Sequence, residues 1–496
     1  MKRCALILTL LALASPTFAV WPPPIRLTDG PNENINPFLS MQDGIFPTQD
    51  SVFLVWQRSR TGGWDIYSRG TAMYDTLWSP PRIVTSLPDS NLKPSVAGYG
   101  QQRYCVWVNC HGDSQNILFS SWAGGAWGPP VYLTRDTFPD TEPSVFRHPY
   151  ADTVWVAWAS FRSQRWGLYS RFLSGTTWSP EIPIIANGAN HRSPRLFRFA
   201  GFTRSGSRQY VSVVWQSDAS GNWGVLLSHY QSGVWGAPIR VTTGAQSHFQ
   251  PSPMRGFVQW LDYRVNILWA SDSLGNWEVW GTNADSLIAR ERMTVHNATD
   301  NEPSCVDLFF IIATPTLNHP YLTAWTSDRD GNRNIYAEFR GAGFEAVDTN
   351  RANDVHPQTA AVYRPGGMRF WIVWQSNRDG NWNLYGSNRL IFIDEVEGES
   401  PMSRSEKTLG KVYPTPFRPY GPLVLALPQS GGPQIVLKLY ALKGNQVSTQ
   451  MAKREASGLY RTTWDGRDAL GHTLPSGLYF LRPEGSPILH RLLLLR

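Results

Sequence analysis

A tryptophan closes an apolar, alternating segment seven times along this chain: Trp56, Trp107, Trp158, Trp215, Trp269, Trp325 and Trp374. The intervals are 51, 51, 57, 54, 56 and 49 residues. Self-similarity at this period belongs to propellers and arrays, in which each unit is one supersecondary element that needs its neighbours to bury its faces. The unit itself reads as strand. Val52-Phe-Leu-Val-Trp56 and Phe370-Trp-Ile-Val-Trp374 alternate β-branched and aromatic residues, the composition that suits a pleated surface.

A turn comes after each tryptophan. The clearest copies run Trp215-Gln-Ser-Asp-Ala-Ser-Gly-Asn-Trp223, Trp269-Ala-Ser-Asp-Ser-Leu-Gly-Asn-Trp277 and Trp374-Gln-Ser-Asn-Arg-Asp-Gly-Asn-Trp382. Asp-Gly and Gly-Asn take positive φ cheaply, so a hairpin is predicted there. The copies at Trp107 and Trp158 lack the glycine. Ile66-Tyr67, Ile335-Tyr336 and Leu384-Tyr385 begin the strand after the turn. Upstream, each unit has another strand opened by a proline, from Pro37 to Pro357. Downstream lie edge strands such as Trp78-Ser-Pro-Pro and Trp127-Gly-Pro-Pro, where proline's missing donor is tolerated. The sum is four strands per unit and seven units.

The seventh unit has no fourth strand of its own. Trp21-Pro-Pro-Pro-Ile-Arg-Leu-Thr28 matches Trp78-Ser-Pro-Pro-Arg-Ile-Val-Thr85. Residues 21 to 28 are therefore expected to complete the last blade and close the ring, which limits exposed edges.

Ser327-Asp-Arg-Asp-Gly-Asn-Arg-Asn-Ile-Tyr336 resembles the repeat of TolB-like propellers. The turns also resemble the Asp-box of sialidase-like propellers, with the glycine to tryptophan interval one residue shorter. These resemblances imply architecture, not activity.

The tail carries its own ordered motifs: Tyr413-Pro-Thr-Pro-Phe-Arg-Pro419, Leu439-Tyr-Ala-Leu-Lys-Gly-Asn-Gln-Val447, Trp464-Asp-Gly-Arg-Asp-Ala-Leu-Gly471, Ser476-Gly-Leu-Tyr-Phe480 and Leu492-Leu-Leu-Leu-Arg496. It is similar to Ig-like C-terminal domains of the FlgD type and to type A sorting signals of the type IX secretion system. Thr415 and Arg418 stand where the common first motif has asparagines. The resemblance implies an address for export across a second membrane. From its own residues the segment reads as a small β-sandwich, with strands such as Ile435 to Tyr440 and turns at Lys443-Gly444 and Asp465-Gly466.

The predicted organisation is all-β. A signal peptide spans 1–19, a seven-bladed propeller closed by its N-terminal strand spans 20–393, a linker spans 394–410, and an Ig-like sorting domain spans 411–496. Lys2 and Arg3, the apolar run Ala5 to Ala14, and Thr17-Phe-Ala19 fit a secretory signal. No later segment has the roughly 20 apolar residues of a membrane helix. The expected location is extracellular or the outer cell surface, and a monomer is expected.

Charge separates the parts. Net charge is +7, the tail alone carries +7 and the linker −3. Without Lys2 and Arg3 the propeller is left at +1. A nearly neutral body argues against nucleic acid as partner. Cys105, Cys110 and Cys305 remain after cleavage and read as small buried residues. No metal site or cofactor is expected.

Three residues before each strand-opening proline sits a polar residue: Asn34, Asn91, Asp140, His191, His248, Asp300 and Asp354. In register they form a ring. One reading is a ligand site at the channel mouth centred on His191, His248, Asp300 and Asp354; the other is that these side chains cap the strand starts. Trp64, Trp166, Trp223, Trp277 and Trp382 recur eight residues after the strand tryptophans. They read as inter-blade packing or as sugar platforms. Asp328 and Asp330 read as a structural turn, since the rest of an EF-hand loop is absent.

No Gly-x-Ser-x-Gly, HExxH or phosphate loop occurs. The Arg-Ile-Pro string that a sialidase resemblance would bring is absent too. The expected function is non-catalytic binding of a protein or glycan, with the export machinery as partner of the tail. A sialidase-like glycoside hydrolase and a structural envelope component are the alternatives.

Overall fold

The computed structural model describes residues 21–41, 51–72, 76–85, 87–99, 102–148, 151–203, 206–254, 267–282, 287, 290–307, 321–339, 343–364, 367–392, 411–413, 422–426, 433–441, 445–454, 460–484 and 490–494. The expected signal peptide, the linker, residues 414–419 of the first tail motif and the turn at Lys443-Gly444 lie outside the described residues. The chain divides into two compact units, 1–397 and 398–496.

The described residues of the first unit hold seven antiparallel sheets; six are built from successive strands in chain order, three of these with the outer strand in two short pieces, and the seventh joins three successive strands to the N-terminal segment. Blade 1 shows the pattern: Asn34–Met41, Ser51–Arg60, Gly63–Ala72 and Arg82–Thr85. The first strands of the other blades are Ser90–Tyr99, Asp140–His148, His191–Thr203, His248–Pro253, Asp300–Asp307 and Asp354–Arg364. Each lies against the first strand of the next blade, and the seventh lies against the first. The first strands thus encircle an axis. This is the seven-bladed propeller that the tryptophan interval predicts.

Ring closure takes the expected route. Ile25–Arg26 pairs with Asn383–Phe392, with Ile25 opposite Gly386 and Arg26 opposite Tyr385. Leu27 N–H donates to Leu384 O at 2.7 Å, and the Thr28 hydroxyl accepts from Leu384 N–H at 2.9 Å. Trp21 is 4% exposed and stacks on Phe339 of blade 6 at 5.8 Å. The closing segment therefore contributes buried side chains as well as ladder bonds.

The core lies between blades. All seven strand tryptophans are at most 1% exposed; truncating one to alanine would cost about 3–5 kcal/mol. Outer tryptophans reach across the seams: Trp127 Nε1 donates to Ser68 Oγ at 2.8 Å and Trp235 Nε1 to Ser170 Oγ at 2.9 Å. Cys105 and Cys305 are buried, Cys110 is half-buried, and all three are free thiols.

In the second unit, hydrogen bonds link seven strands in the order Lys411–Tyr413, Pro422–Ala426, Tyr460–Thr463, Gln446–Arg454, Gln434–Ala441, Gly477–Pro483 and His490–Leu494. The two end strands approach each other, so the sheet closes over one core. That core includes Leu437, Leu439, Tyr460, Trp464, Leu481 and Leu492. Trp464 Nε1 donates to Arg467 O at 3.0 Å, and Arg467 N–H to Asp465 Oδ1 at 3.0 Å. Trp464-Asp-Gly is thus a structural turn.

Candidate functional site: the central channel and its mouth

The polar residue that starts each first strand is fully or almost fully buried: Asn34, Asn91, Asp140, His191, Asp300 and Asp354 at 0% exposure, His248 at 4%. Two chemical solutions appear. Neutral side chains accept the indole N–H of their own blade's tryptophan: Trp56 Nε1 donates to Asn34 Oδ1 and Trp107 Nε1 to Asn91 Oδ1, both at 2.9 Å, and Trp215 Nε1 to His191 Nδ1 at 3.2 Å. Two aspartates instead take the turn arginine four residues after the tryptophan. Arg329 Nη2 meets both Asp300 oxygens at 3.0 and 2.9 Å, and Arg378 Nη2 both Asp354 oxygens at 3.1 and 2.9 Å. Asp140, raised to about 6 by burial, faces the Ser160 and Thr134 hydroxyls. Burial pushes His191 down to about 4. His191, His248, Asp300 and Asp354 therefore sit inside their blades, each at its own strand start. They do not converge on one space, and none of them lines the channel cavity.

The mouth is made two residues further on. Asn36, Lys93, Glu142, Ser193, Gln250, Glu302 and His356 all take left-handed φ between 51° and 56°. A bulge accompanies each of them in the ladder to the second strand, as at Thr141/Ser144 and Arg192/Arg195. A left-handed non-glycine residue is disfavoured unless its surroundings fix it. Here the neighbouring blade does so. Ser193 N–H donates to Glu142 Oε2 at 2.8 Å, Glu302 N–H to Gln250 Oε1 at 2.8 Å, and His356 N–H to Glu302 Oε2 at 2.9 Å. Gln57 Oε1 accepts from Lys93 N–H at 3.0 Å, and Gln375 Oε1 from Asn36 N–H at 3.0 Å.

A second tier of serines works the same way. Ser95 Oγ accepts from Val145 N–H at 3.2 Å, Ser144 Oγ from Leu196 N–H at 3.0 Å, and Ser304 Oγ from Thr359 N–H at 3.0 Å. Blade 4 breaks the pattern. Its residue at this position is Arg195, and the matching residue of blade 5 is Pro253, which has no N–H to offer. With no donor to satisfy, the position is free for a cation.

That cation lines a cavity of about 280 Å³ walled by the first strands of all seven blades. Arg147 and Arg198 stand on the same wall. Arg147 is tied to Asp152 at 2.6 Å. The Arg195 side chain makes no hydrogen bond or ion pair among the described residues. Burial pulls its pKa down, against the pull of Glu142. Glu142 is occupied elsewhere: Arg192 grips it bidentately at 2.9 and 2.7 Å. An unpaired guanidinium in a cavity is costly in the empty protein and well suited to an oxyanion.

The carboxylates of the mouth are both held ionised. Burial pushes Glu142 up, but Arg192 and the Ser193 N–H hold it below its ordinary value. Burial does the same to Glu302, and His356, 2.9 Å from its Oε1, outweighs it.

Outside this ring lie the turn tryptophans, all half-buried. Their carbonyls bind the next blade: Trp223 O accepts from His248 N–H at 2.9 Å and Trp277 O from Asp300 N–H at 2.8 Å. They also form an aromatic arc over blades 3 to 5. Arg192 lies 4.2 Å over Trp166, and Phe249 sits 5.7 Å from both Trp223 and Trp277. Packing and exposure thus coexist in the same rings. The acidic turn is structural, as expected: Asp330 Oδ2 accepts from Tyr336 OH at 2.6 Å and Asn334 Nδ2 at 3.0 Å. Among the described residues no His, Cys, Asp and Glu group is arranged to hold a metal.

Reading for recurrence misses Arg195. The signal lies in the exception: after the strand-opening prolines the residues are Phe38, Ser95, Ser144, Arg195, Ser252, Ser304 and Gln358, a column with one cation.

No sequence family and no curated protein matches this chain. Among solved structures, it is similar to a Trypanosoma rangeli sialidase at 11% identity and TM-score 0.41, over 74% of this chain and 55% of that one. It thus spans little more than half of that protein's length. It is also similar to the haemagglutinin-neuraminidase ectodomain of parainfluenza virus 5, at 8% identity and TM-score 0.41 over 75% of this chain and 85% of that one. An endo-arabinase from Bacteroides thetaiotaomicron is similar at 11% identity and TM-score 0.31, over 53% and 95%.

Proposed function

We propose that this protein is a secreted, non-catalytic propeller that binds an acidic glycan at its central channel. The observation that supports this most directly is Arg195, an unpaired guanidinium inside a cavity of about 280 Å³. That volume suits one sugar-sized group. A carboxylate-bearing sugar would place its anion on Arg195 and its ring toward the aromatic arc at the mouth, where Trp223, Phe249 and Trp277 offer apolar faces.

Hydrolysis by a carboxyl pair needs one acid kept protonated near neutral pH. Glu142 and Glu302 are both held below their ordinary values. Asp140 is raised to about 6 but is fully buried and off the cavity wall. The mouth thus favours binding over glycoside hydrolysis. Residues 1–19 and the tail, by their motifs, fit export across two membranes and display at the cell surface.

The test is an array of acidic and neutral glycans probed with the full chain and with Arg195→Gln, beside an assay of released sugar. Acidic glycans are expected to bind, and the variant to lose about tenfold or more in affinity, the scale of a charge-assisted hydrogen bond. Sustained sugar release by the wild type, or unchanged binding by Arg195→Gln, would overturn the proposal.

A further inference from the structure

Blades 1 and 2 meet over a ladder of rings and guanidinium groups, away from the channel mouth, where the first strand of blade 2 turns into the second. Arg103 lies next to the start of Gln102–His111. Its Cζ is 3.8 Å from the centre of the Phe53 ring of blade 1 and 4.9 Å from that of Trp122 in its own blade. Arg82, on the outer strand of blade 1, lies over the same Trp122 ring at 5.3 Å. The ladder is built into the backbone. A Cβ at Gly98 would come within 2.9 Å of the Phe53 ring and one at Gly70 within 3.3 Å, so both glycines make room for it.

Among the described residues no acidic side chain pairs with either cation, and the Arg103 side chain donates no hydrogen bond. Its Nε is buried without an acceptor. Arg82 donates to Gly125 O at 3.0 Å and is otherwise exposed. Burial, and then the charge of Arg82, pull the Arg103 pKa down to about 10. Stacking on rings offsets part of this cost, about 0.5–2 kcal/mol per contact. It does so through the guanidinium face and leaves the in-plane N–H edge unused. That edge is the fork that matches sulfate, phosphate and carboxylate oxygens bidentately. A packing role alone would need one stacked arginine between Phe53 and Trp122. It gives no reason for a second cation on the same indole.

We infer that Arg103 and Arg82 form an oxyanion site at the seam of blades 1 and 2, taking a doubly charged tetrahedral group: sulfate or phosphate, free or as an ester. Neither arginine lines the channel cavity, and the site does not depend on what the channel binds. Two positive charges without a carboxylate select a divalent anion over a single carboxylate.

The test uses the full chain with inorganic sulfate as the probe, titrated calorimetrically at fixed ionic strength in chloride. Arg103→Gln and Arg82→Gln are compared with wild type and with Arg195→Gln. A sulfated oligosaccharide and a phosphomonoester, run alongside, separate a glycan source from a phosphate source. Saturable sulfate binding is expected in wild type and in Arg195→Gln. Each ladder variant should weaken it by about tenfold or more, the loss of one charge-assisted contact. The general salting effect of sulfate on melting is shared by all four proteins and does not saturate. Should Arg103→Gln fold poorly, Arg82→Gln decides, because Arg82 is exposed and Arg103 stays in its stack. Equal affinity in wild type and folded Arg82→Gln overturns the proposal. So does loss of binding in Arg195→Gln, which would move the anion to the channel, or no saturable binding at all.

Discussion

At the scale of single residues, one position recurs in all seven blades, filled by Asn, Asp or His, and shows what the fold demands there. It takes a buried polar side chain, which in five blades answers an indole or a guanidinium. Asn34 and Asn91 do this without charge. Asp140 answers neither by a hydrogen bond; it is a buried acid beside the Ser160 and Thr134 hydroxyls, and burial raises its pKa to about 6. A raised folded-state pKa means that the native state favours the protonated form. The cost is absent below the unfolded pKa of about 3.9, grows as pH rises through about 6, and is complete above that. Asp140→Asn places in blade 3 the residue blades 1 and 2 already use. It is expected to raise stability at pH 7 by up to about 3 kcal/mol and to change it little at pH 4. Thermal melts of both proteins at the two pH values check this; a gain of equal size at pH 4 would exclude the titration as its cause. His191 runs the other way. Burial lowers its pKa to about 4, so its contribution is present above the unfolded value near 6.5 and is lost as pH falls through 4.

At the scale of elements, the short closing segment has an influence larger than its length. It supplies two paired residues, the Leu27 and Thr28 bonds, and the buried Trp21 and Leu27 side chains. Removing residues 21–28 while keeping the export signal is expected to lower the melting temperature strongly, because blade 7 then ends in an open edge. An unchanged melting temperature would show that the ring is held shut without it. The blade order and this closure were legible in the sequence, since both rest on local alternation, turn chemistry and a match between Trp21–Thr28 and Trp78–Thr85. The inter-blade bonds were not. That Ser144 accepts from Leu196 N–H, or that Glu142 fixes the left-handed Ser193, depends on two strands about fifty residues apart meeting at a set height. The polar ring was found in the sequence for the same local reason. Its burial was invisible there, because Arg329 and Arg378 reach Asp300 and Asp354 only through the fold of the turn.

At the scale of the whole molecule, repetition and exception divide the work. Nearly every recurrent residue holds blades together, while the features fit for a ligand are departures from the sevenfold pattern: Arg195 in the channel and the Arg82–Arg103 ladder at a seam. Arg195→Gln is expected to remove acidic-glycan binding and leave the melting temperature equal or higher, as an unpaired cation in the channel wall is relieved. A fall in melting temperature without loss of binding would assign Arg195 to packing. For the tail, the full chain lacking residues 411–496 is expected to remain in the periplasm of a type IX host, and its appearance on the cell surface would refute the sorting role.

By itself, the sequence determined the number of blades, their strand order and the segment that closes the ring, because each rests on short-range periodicity repeated seven times. The tertiary structure decided which polar residues face the channel and which are consumed inside the blades. That choice turns on bulges, left-handed residues and hydrogen bonds between neighbouring blades; Pro253 in blade 5 has no backbone donor, so the matching position of blade 4 needs no acceptor and carries Arg195 on the cavity wall.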